Sequence, residues 1–366
     1  MLLPITRIAL RTLFALPAPL RRRIAGRPVH LDGQELDLDT QLLMTLRRRL
    51  GAGSAGRETD LAVVRRQYSL FTAAINAPKI RSVQIRDLAI CDDRIPARLY
   101  RPAGQATGSP LLVYFHGGGF VLGDLDSHDH LCRLIAAHGD LAVLSVDYRL
   151  APEHPFPAAV EDSVAAVEYA IAHADALGID PNRIALGGDS AGGNLAIVTA
   201  LQVKGPMFVL AFYPVVEATT APPLPSRTLF GNGLMLTEKD IALFDAMYIR
   251  DASQYADWRV APIHAPNLAD LPPLYLATAG FDVVRDEGEL FAHKAAEAGV
   301  QVVQRRHERL THGFANMTQL LPAANDAVLE AVAALRLAIY TTSTGGPGEG
   351  ETSTSRRGAE GSPPHC

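Results

Sequence analysis

The chain has 366 residues, 48% of them hydrophobic, with 34 basic against 39 acidic side chains and a formal net charge of −5. This length and apolar content support a large core in a single α/β domain, and the near balance of charge excludes a global field that would recruit nucleic acid. Cys91, Cys132 and Cys366 are too few and too odd in number for a disulfide framework, which suits a reducing, cytoplasmic compartment.

Taken in order, the first 30 residues contain six arginines and no acidic side chain, interleaved with Leu2, Leu3, Ile5, Ile8, Leu10, Leu13, Phe14 and Leu16. Pro4, Pro17 and Pro19 interrupt the stretch, so it is too short to span a bilayer. The cluster Arg21 to Arg23 follows the apolar part instead of preceding it, which argues against a secretory signal. Two readings remain: an amphipathic surface segment making peripheral membrane contact, or helices packed on the body. Helical patterns around Asp39 to Ala77 complete an N-terminal unit over residues 1–82.

Leu111 to Phe115 is a continuous apolar run, the pattern of a strand buried on both faces, and it leads into His116-Gly117-Gly118-Gly119-Phe120. Three successive glycines expose backbone N–H groups that can receive the oxyanion of an acyl-transfer intermediate. A phosphate cradle fits poorly, because neither Gly-Lys-Ser/Thr nor G-x-G-x-x-G spacing occurs here. His128, His130, Cys132 and His138 invite a metal reading, but the helical pattern from Asp126 to Ala137 spreads them around its axis, and the paired spacing of metal sites is missing. The strand Ala142 to Val146 ends at Asp147-Tyr148-Arg149, and Tyr148, Arg149 and Glu153 read as a buried polar brace beneath the glycine loop.

The apolar run Ile184 to Gly187 precedes Gly188-Asp189-Ser190-Ala191-Gly192, and small residues at helical spacing follow to Ala200. A serine on a strand-to-helix turn stands clear of the backbone, and its flanking glycines let strand and helix pass closely. Ser190 is the candidate nucleophile, with Asp189 fixing the elbow. Residues 216–272 look like an insertion, with Pro222, Pro223 and Pro225 near its start and a helical pattern from Thr237 to Tyr248. With the N-terminal helices it is expected to cap the site. Leu274 to Ala279 is the next buried strand, with Asp282 at its carboxyl end. After a helix over Asp286 to Ala298 and a strand over Val300 to Val303, His312 falls in the loop Leu310 to Phe314. The order serine, acid, histidine is the one that supplies a base and a group to orient it. Residues Thr341 to Cys366, rich in Gly, Ser, Thr, Pro and Glu, lack the apolar groups to offset ordering entropy and are expected to be disordered.

These motifs, together with Asp147-Tyr-Arg-Leu-Ala-Pro-Glu-His154, Arg285-Asp-Glu-Gly288 and His312-Gly-Phe314, resemble the hormone-sensitive-lipase-like branch of the α/β-hydrolases, over roughly Val83 to Ala338. The resemblance implies an α/β-hydrolase fold: a mostly parallel central sheet flanked by helices, its core divided into 83–215 and 273–340 around a helical cap. It implies Ser190, Asp282 and His312 as the catalytic triad and Gly117, Gly118 and the N–H of Ala191 as the oxyanion hole. Two departures occur: Asp282-Val283-Val284 replaces the family's usual Asp-Pro-Leu, and the stretch Gln202 to Met207 is short.

The expected activity is hydrolysis of short- to medium-chain acyl esters through an acyl-enzyme. Alternatives are a lipase acting on long-chain esters and a member of the fold that binds a small ligand without catalysis. A small-molecule ester is the expected partner and no cofactor is expected, since no dinucleotide or metal signature occurs. Oligomeric state is left open, a homodimer included.

Overall fold

Seven consecutive residues from Ser109 to Phe115 are buried, and this continuous apolar stretch forms the middle of the molecule. The computed structural model describes residues 2–49, 60–76, 80–92, 94–218, 223–232 and 234–341. The chain opens with α1 (Leu2–Phe14), α2 (Ala18–Ala25), the hairpin of β1 (His30–Leu31) and β2 (Gln34–Glu35), then α3 (Leu38–Arg49) and α4 (Leu61–Ile75). Next come β3 (Val83–Ile90), β4 (Ile95–Pro102), β5 (Ser109–Phe115), α5 (Asp129–Gly139), β6 (Ala142–Val146), α6 (Ala158–Ala172) and α7 (Ala174–Leu177). They are followed by β7 (Ile179–Asp189), α8 (Ala191–Ala200), β8 (Phe208–Phe212), α9 (Pro225–Phe230) and α10 (Glu238–Tyr248). The chain continues through β9 (Leu274–Phe281), α11 (Arg285–Glu297), β10 (Val302–Thr311) and α12 (Pro322–Thr341).

Eight strands form one sheet in the order β10-β9-β8-β7-β5-β6-β4-β3. The six strands from β10 to β6 run parallel, while β4 and β3 are antiparallel additions at one edge. Apolar clusters cover both faces: Val113, Leu186 and Leu195 lie in one, and Leu112, Leu210 and Val328 in the other. Parallel strands place all their carboxyl ends on one side, and there the chain leaves β5, β7, β9 and β10 toward the residues of the site.

The expected strand Val300 to Val303 is instead the ten-residue β10, which absorbs Leu310 and Thr311 from the expected loop. Arg305, Arg306, Glu308 and Arg309 hide it in the sequence, because an edge strand tolerates charge on its exposed positions. The helix expected from Asp126 begins at Asp129, leaving His128 in the preceding loop.

The N-terminal segment packs on the helices that follow it. The Arg7 Nε donates to the Ala73 carbonyl at 2.9 Å, Arg21 pairs with Asp39, and the Arg22 Nη1 donates to Gln41 Oε1 at 2.8 Å. Ile8 and Leu20 nevertheless face outward. Among the described residues no helix is long and apolar enough to cross a membrane. Residues 342–366 of the expected disordered tail lie outside the described residues.

Candidate active site

At the end of β7 the backbone turns sharply, and Ser190 adopts φ +54° and ψ −119°, a left-handed conformation that costs a side-chain-bearing residue of order 1–3 kcal/mol. The surroundings explain the flanking glycines. A Cβ on Gly188 would lie 2.3 Å from the Gly192 backbone, and one on Gly192 would lie 1.9 Å from the Phe115 carbonyl oxygen. Strand β7, helix α8 and strand β5 therefore approach to backbone contact, and the serine side chain points away from all three.

The structure brings the three residues together. His312 Nε2 lies 2.9 Å from Ser190 Oγ, and His312 Nδ1 lies 2.8 Å from Asp282 Oδ2. The other carboxylate oxygen of Asp282 accepts the Val284 N–H at 3.1 Å, so the carboxylate is held by its own turn without the family's proline. The Ser226 hydroxyl donates to the Val283 carbonyl at 3.0 Å and tightens the same turn. The Tyr213 ring packs 4.7 Å from the imidazole, and its hydroxyl accepts the Ala315 N–H at 3.1 Å, which fixes the loop carrying His312. Asp282 is 1% exposed while Ser190 and His312 each retain 8%, so the carboxylate is shielded and the other two open onto a cavity. Such a line lets the hydroxyl lose its proton to Nε2 while the carboxylate holds the proton on Nδ1.

The glycine loop requires a correction. The Gly117 N–H donates to Asp189 Oδ1 at 3.0 Å, so this amide is committed and cannot serve an oxyanion. Gly118 and Gly119 line the cavity with Ser190 and His312, and the amides of Gly118, Gly119 and Ala191 have no acceptor among the described residues. Asp189 does more than fix the elbow: it also accepts the Tyr114 hydroxyl at 2.7 Å and lies 3.2 Å from His128 Nε2. Burial alone would raise the pKa of this carboxylate, but His128, Tyr114 and the Gly117 amide outweigh it and hold the group ionised.

The brace beneath the loop is Tyr148 alone, whose hydroxyl donates to the His116 carbonyl at 2.7 Å. Arg149 and Glu153 lie at the surface, where Arg149 reaches in to pair with the buried Asp162 and Glu153 pairs with Arg65.

His116 packs under the same loop, its ring 4.4 Å from Tyr148, and burial pushes its pKa down to about 4. Its neutral form is the folded one. Its stabilising contribution is therefore complete above pH 6.5 and lost as the pH falls toward 4, roughly 2 kcal/mol of it by pH 5. His130, pushed down to about 4 by burial as well, adds to the acid sensitivity. Urea unfolding at pH 8 and pH 5 should show this loss, and His116→Asn should shrink the pH difference by about 2 kcal/mol. An unchanged difference would refute the assignment to His116.

The cavity above Ser190 has a volume of about 230 Å³. Val64, Phe71 and Ile75 wall it from the N-terminal helices, and Leu236, Ile241 and Phe244 from the insertion. A Thr237–Asp240 capping box starts α10 and fixes that wall. Another groove, between Arg94, Arg149 and Arg259, shares no lining residue with this cavity.

A sequence model of a family described as alpha/beta hydrolase fold matches residues 112–316. Carboxylic ester hydrolase LipN of Mycobacterium tuberculosis is 42% identical over 346 residues, covering 91% of each chain. Ethyl acetate hydrolase of Pseudomonas putida is 33% identical over 74% of this chain and 88% of its own. The solved esterase of Pyrobaculum calidifontis, 38% identical, superposes with a TM-score of 0.72 over 80% of this chain and 97% of its own.

Proposed function

The chain belongs to the α/β-hydrolase fold family, and from that premise we propose that it is a serine carboxylic-ester hydrolase acting on short- to medium-chain acyl esters. The hydrogen-bonded line Asp282–His312–Ser190 at the mouth of an apolar cavity carries this reading. Ser190 Oγ attacks the ester carbonyl as His312 Nε2 takes its proton, and the oxyanion receives the amides of Gly118, Gly119 and Ala191. His312 returns the proton to the leaving alcohol, then activates water to release the acid. Asp282 keeps the imidazole in the required tautomer and stabilises its charged form. An amide would need a better-timed protonation of its poorer leaving group, so the ester is the favoured substrate.

The helices of 1–82 and 216–272 act in this reading as the cap that excludes water and bounds the acyl chain. A volume of about 230 Å³ is below the roughly 300–1,000 Å³ of sites that hold drug-sized ligands, which favours short and medium chains. Hydrolysis rates over nitrophenyl esters of increasing acyl length should peak there. The outward Ile8 and Leu20, with Arg11 and Arg23 beside them, suit a peripheral membrane contact. Deleting residues 1–18 should then slow attack on an emulsified long-chain ester more than on a dissolved short one. A wild-type preference for long-chain emulsions would instead make the protein a lipase.

A further inference from the structure

Three successive residues of the glycine loop have positive φ: Gly118 at +128°, Gly119 at +62° and Phe120 at +61°. Glycine takes such angles freely, but Phe120 carries a side chain and is strained there, so the surroundings must impose the conformation. Hydrogen bonds fix the two ends of the stretch. The Val121 and Leu122 N–H groups donate to the Gly118 carbonyl at 3.1 and 2.8 Å, and the Ala151 N–H donates to the Phe120 carbonyl at 2.9 Å. Gly119 between them takes part in no hydrogen bond among the described residues.

Helix α10 supplies a contact there. A Cβ on Gly119 would lie 2.6 Å from Phe244 Cγ and 3.1 Å from Phe244 Cβ, so the aromatic ring rests directly on the bare Cα. One turn later on the same helical face, Tyr248 stacks on Phe120, with ring centroids 4.0 Å apart and 6° between the planes. The end of α10 is itself tied to the core: the Tyr248 carbonyl accepts the Phe156 N–H at 2.9 Å, and Arg250 Nη2 donates to the Pro152 carbonyl at 2.7 Å. Phe244 therefore stands on an anchored helix, touching Gly119 and lining the cavity above Ser190.

Resting on the ester-hydrolase reading, we infer that Phe244 is a positioning residue: its ring holds Gly119 in the conformation that presents the Gly118 and Gly119 amides to the oxyanion, so the insertion shapes the oxyanion hole as well as covering the cavity. Without the ring, Gly119 regains the wide backbone freedom of a glycine and both amides lose their aim. A residue that only walls the acyl pocket acts on KM, and more for longer chains. One that aims the amides acts on the transition state, and equally for all chains.

The test uses the full chain and nitrophenyl esters from acetate to octanoate. Removing an oxyanion donor outright costs about 10²–10³ in kcat, so loosening two of them in Phe244→Ala should lower kcat by about tenfold or more, on acetate as on octanoate. Acylation and deacylation both pass through an oxyanion, so the loss shows whichever step limits. Phe244→Leu keeps a Cγ and a Cδ against Gly119 and should recover most of the rate. A kcat near wild type in Phe244→Ala, with KM rising with chain length, overturns the inference, and so does a kcat loss that leucine leaves uncorrected. Should alanine abolish the cooperative unfolding transition, Phe244→Val, which lacks the Cδ, takes its place. Hydrogen exchange at the Val121 and Leu122 amides, followed in the Ser190→Ala background, reads the loop without turnover. It should quicken in Phe244→Ala and slow again in Phe244→Leu, and unchanged exchange overturns the inference. Hydrolysis of no ester at all would overturn the hydrolase reading, while the exchange rates still decide whether Phe244 holds the loop.

Discussion

Ser190→Ala is expected to lower ester hydrolysis by at least about 10⁴-fold while leaving the fold intact. In the proposed mechanism the hydroxyl carries the covalent step, and among the described residues its side-chain hydrogen bond is the 2.9 Å contact with His312 Nε2. Alanine retains the Cβ, so it meets the same backbone demand at φ +54° and opens no large cavity. The backbone contacts of the turn persist as well: the Ser190 N–H donates to the Phe212 carbonyl at 2.9 Å, and its own carbonyl accepts the Asn194 N–H at 3.1 Å. The unfolding midpoint should accordingly move by no more than a change of about 1 kcal/mol implies. A variant retaining a tenth of wild-type turnover would remove Ser190 from the nucleophile role. One that lost activity together with its cooperative unfolding transition would say nothing about chemistry, which is why both are measured on one preparation.

What the sequence made legible follows from where the chemistry sits on the chain. Ser190, Asp282 and His312 each stand just beyond a strand, and in a parallel sheet the order of strand ends along the chain largely fixes which side chains meet. The glycine loop was legible as a source of amides but not as to which amides. Asp189, 72 residues further along, takes the first of them, and nothing in three consecutive glycines distinguishes Gly117 from Gly119. The edge strand β10 hid behind its charges, since periodicity reads burial and this strand has little. Tyr148, Arg149 and Glu153 looked alike in composition, yet only the tyrosine has an apolar body that can go inside while its hydroxyl finds a carbonyl. Phe244 gave no signal at all. It is one of several apolar residues on α10, and its seat against Gly119 depends on how the insertion docks on the glycine loop.

The second large effect concerns Asp282, and the turn that holds it dictates the outcome for asparagine. The Val284 N–H donates to Oδ1, and Oδ2 faces His312 Nδ1. An asparagine in this position must keep its oxygen toward the Val284 N–H, because the reverse orientation would set two donors against each other. Its NH₂ group then faces the imidazole, so Nδ1 has to accept and the proton moves to Nε2. That tautomer presents a donor to Ser190 and can no longer take its proton. Asp282→Asn should therefore lower kcat by roughly 10⁴-fold, with little change in KM or in unfolding midpoint, since side-chain volume and the hydrogen bond to Val284 are kept. Rates measured across pH 6 to 9 should lie far below wild type throughout. If the variant retained more than about a tenth of wild-type kcat, the carboxylate would not be what sets the tautomer of His312, and Asp282 would have to be read as a support for the turn alone.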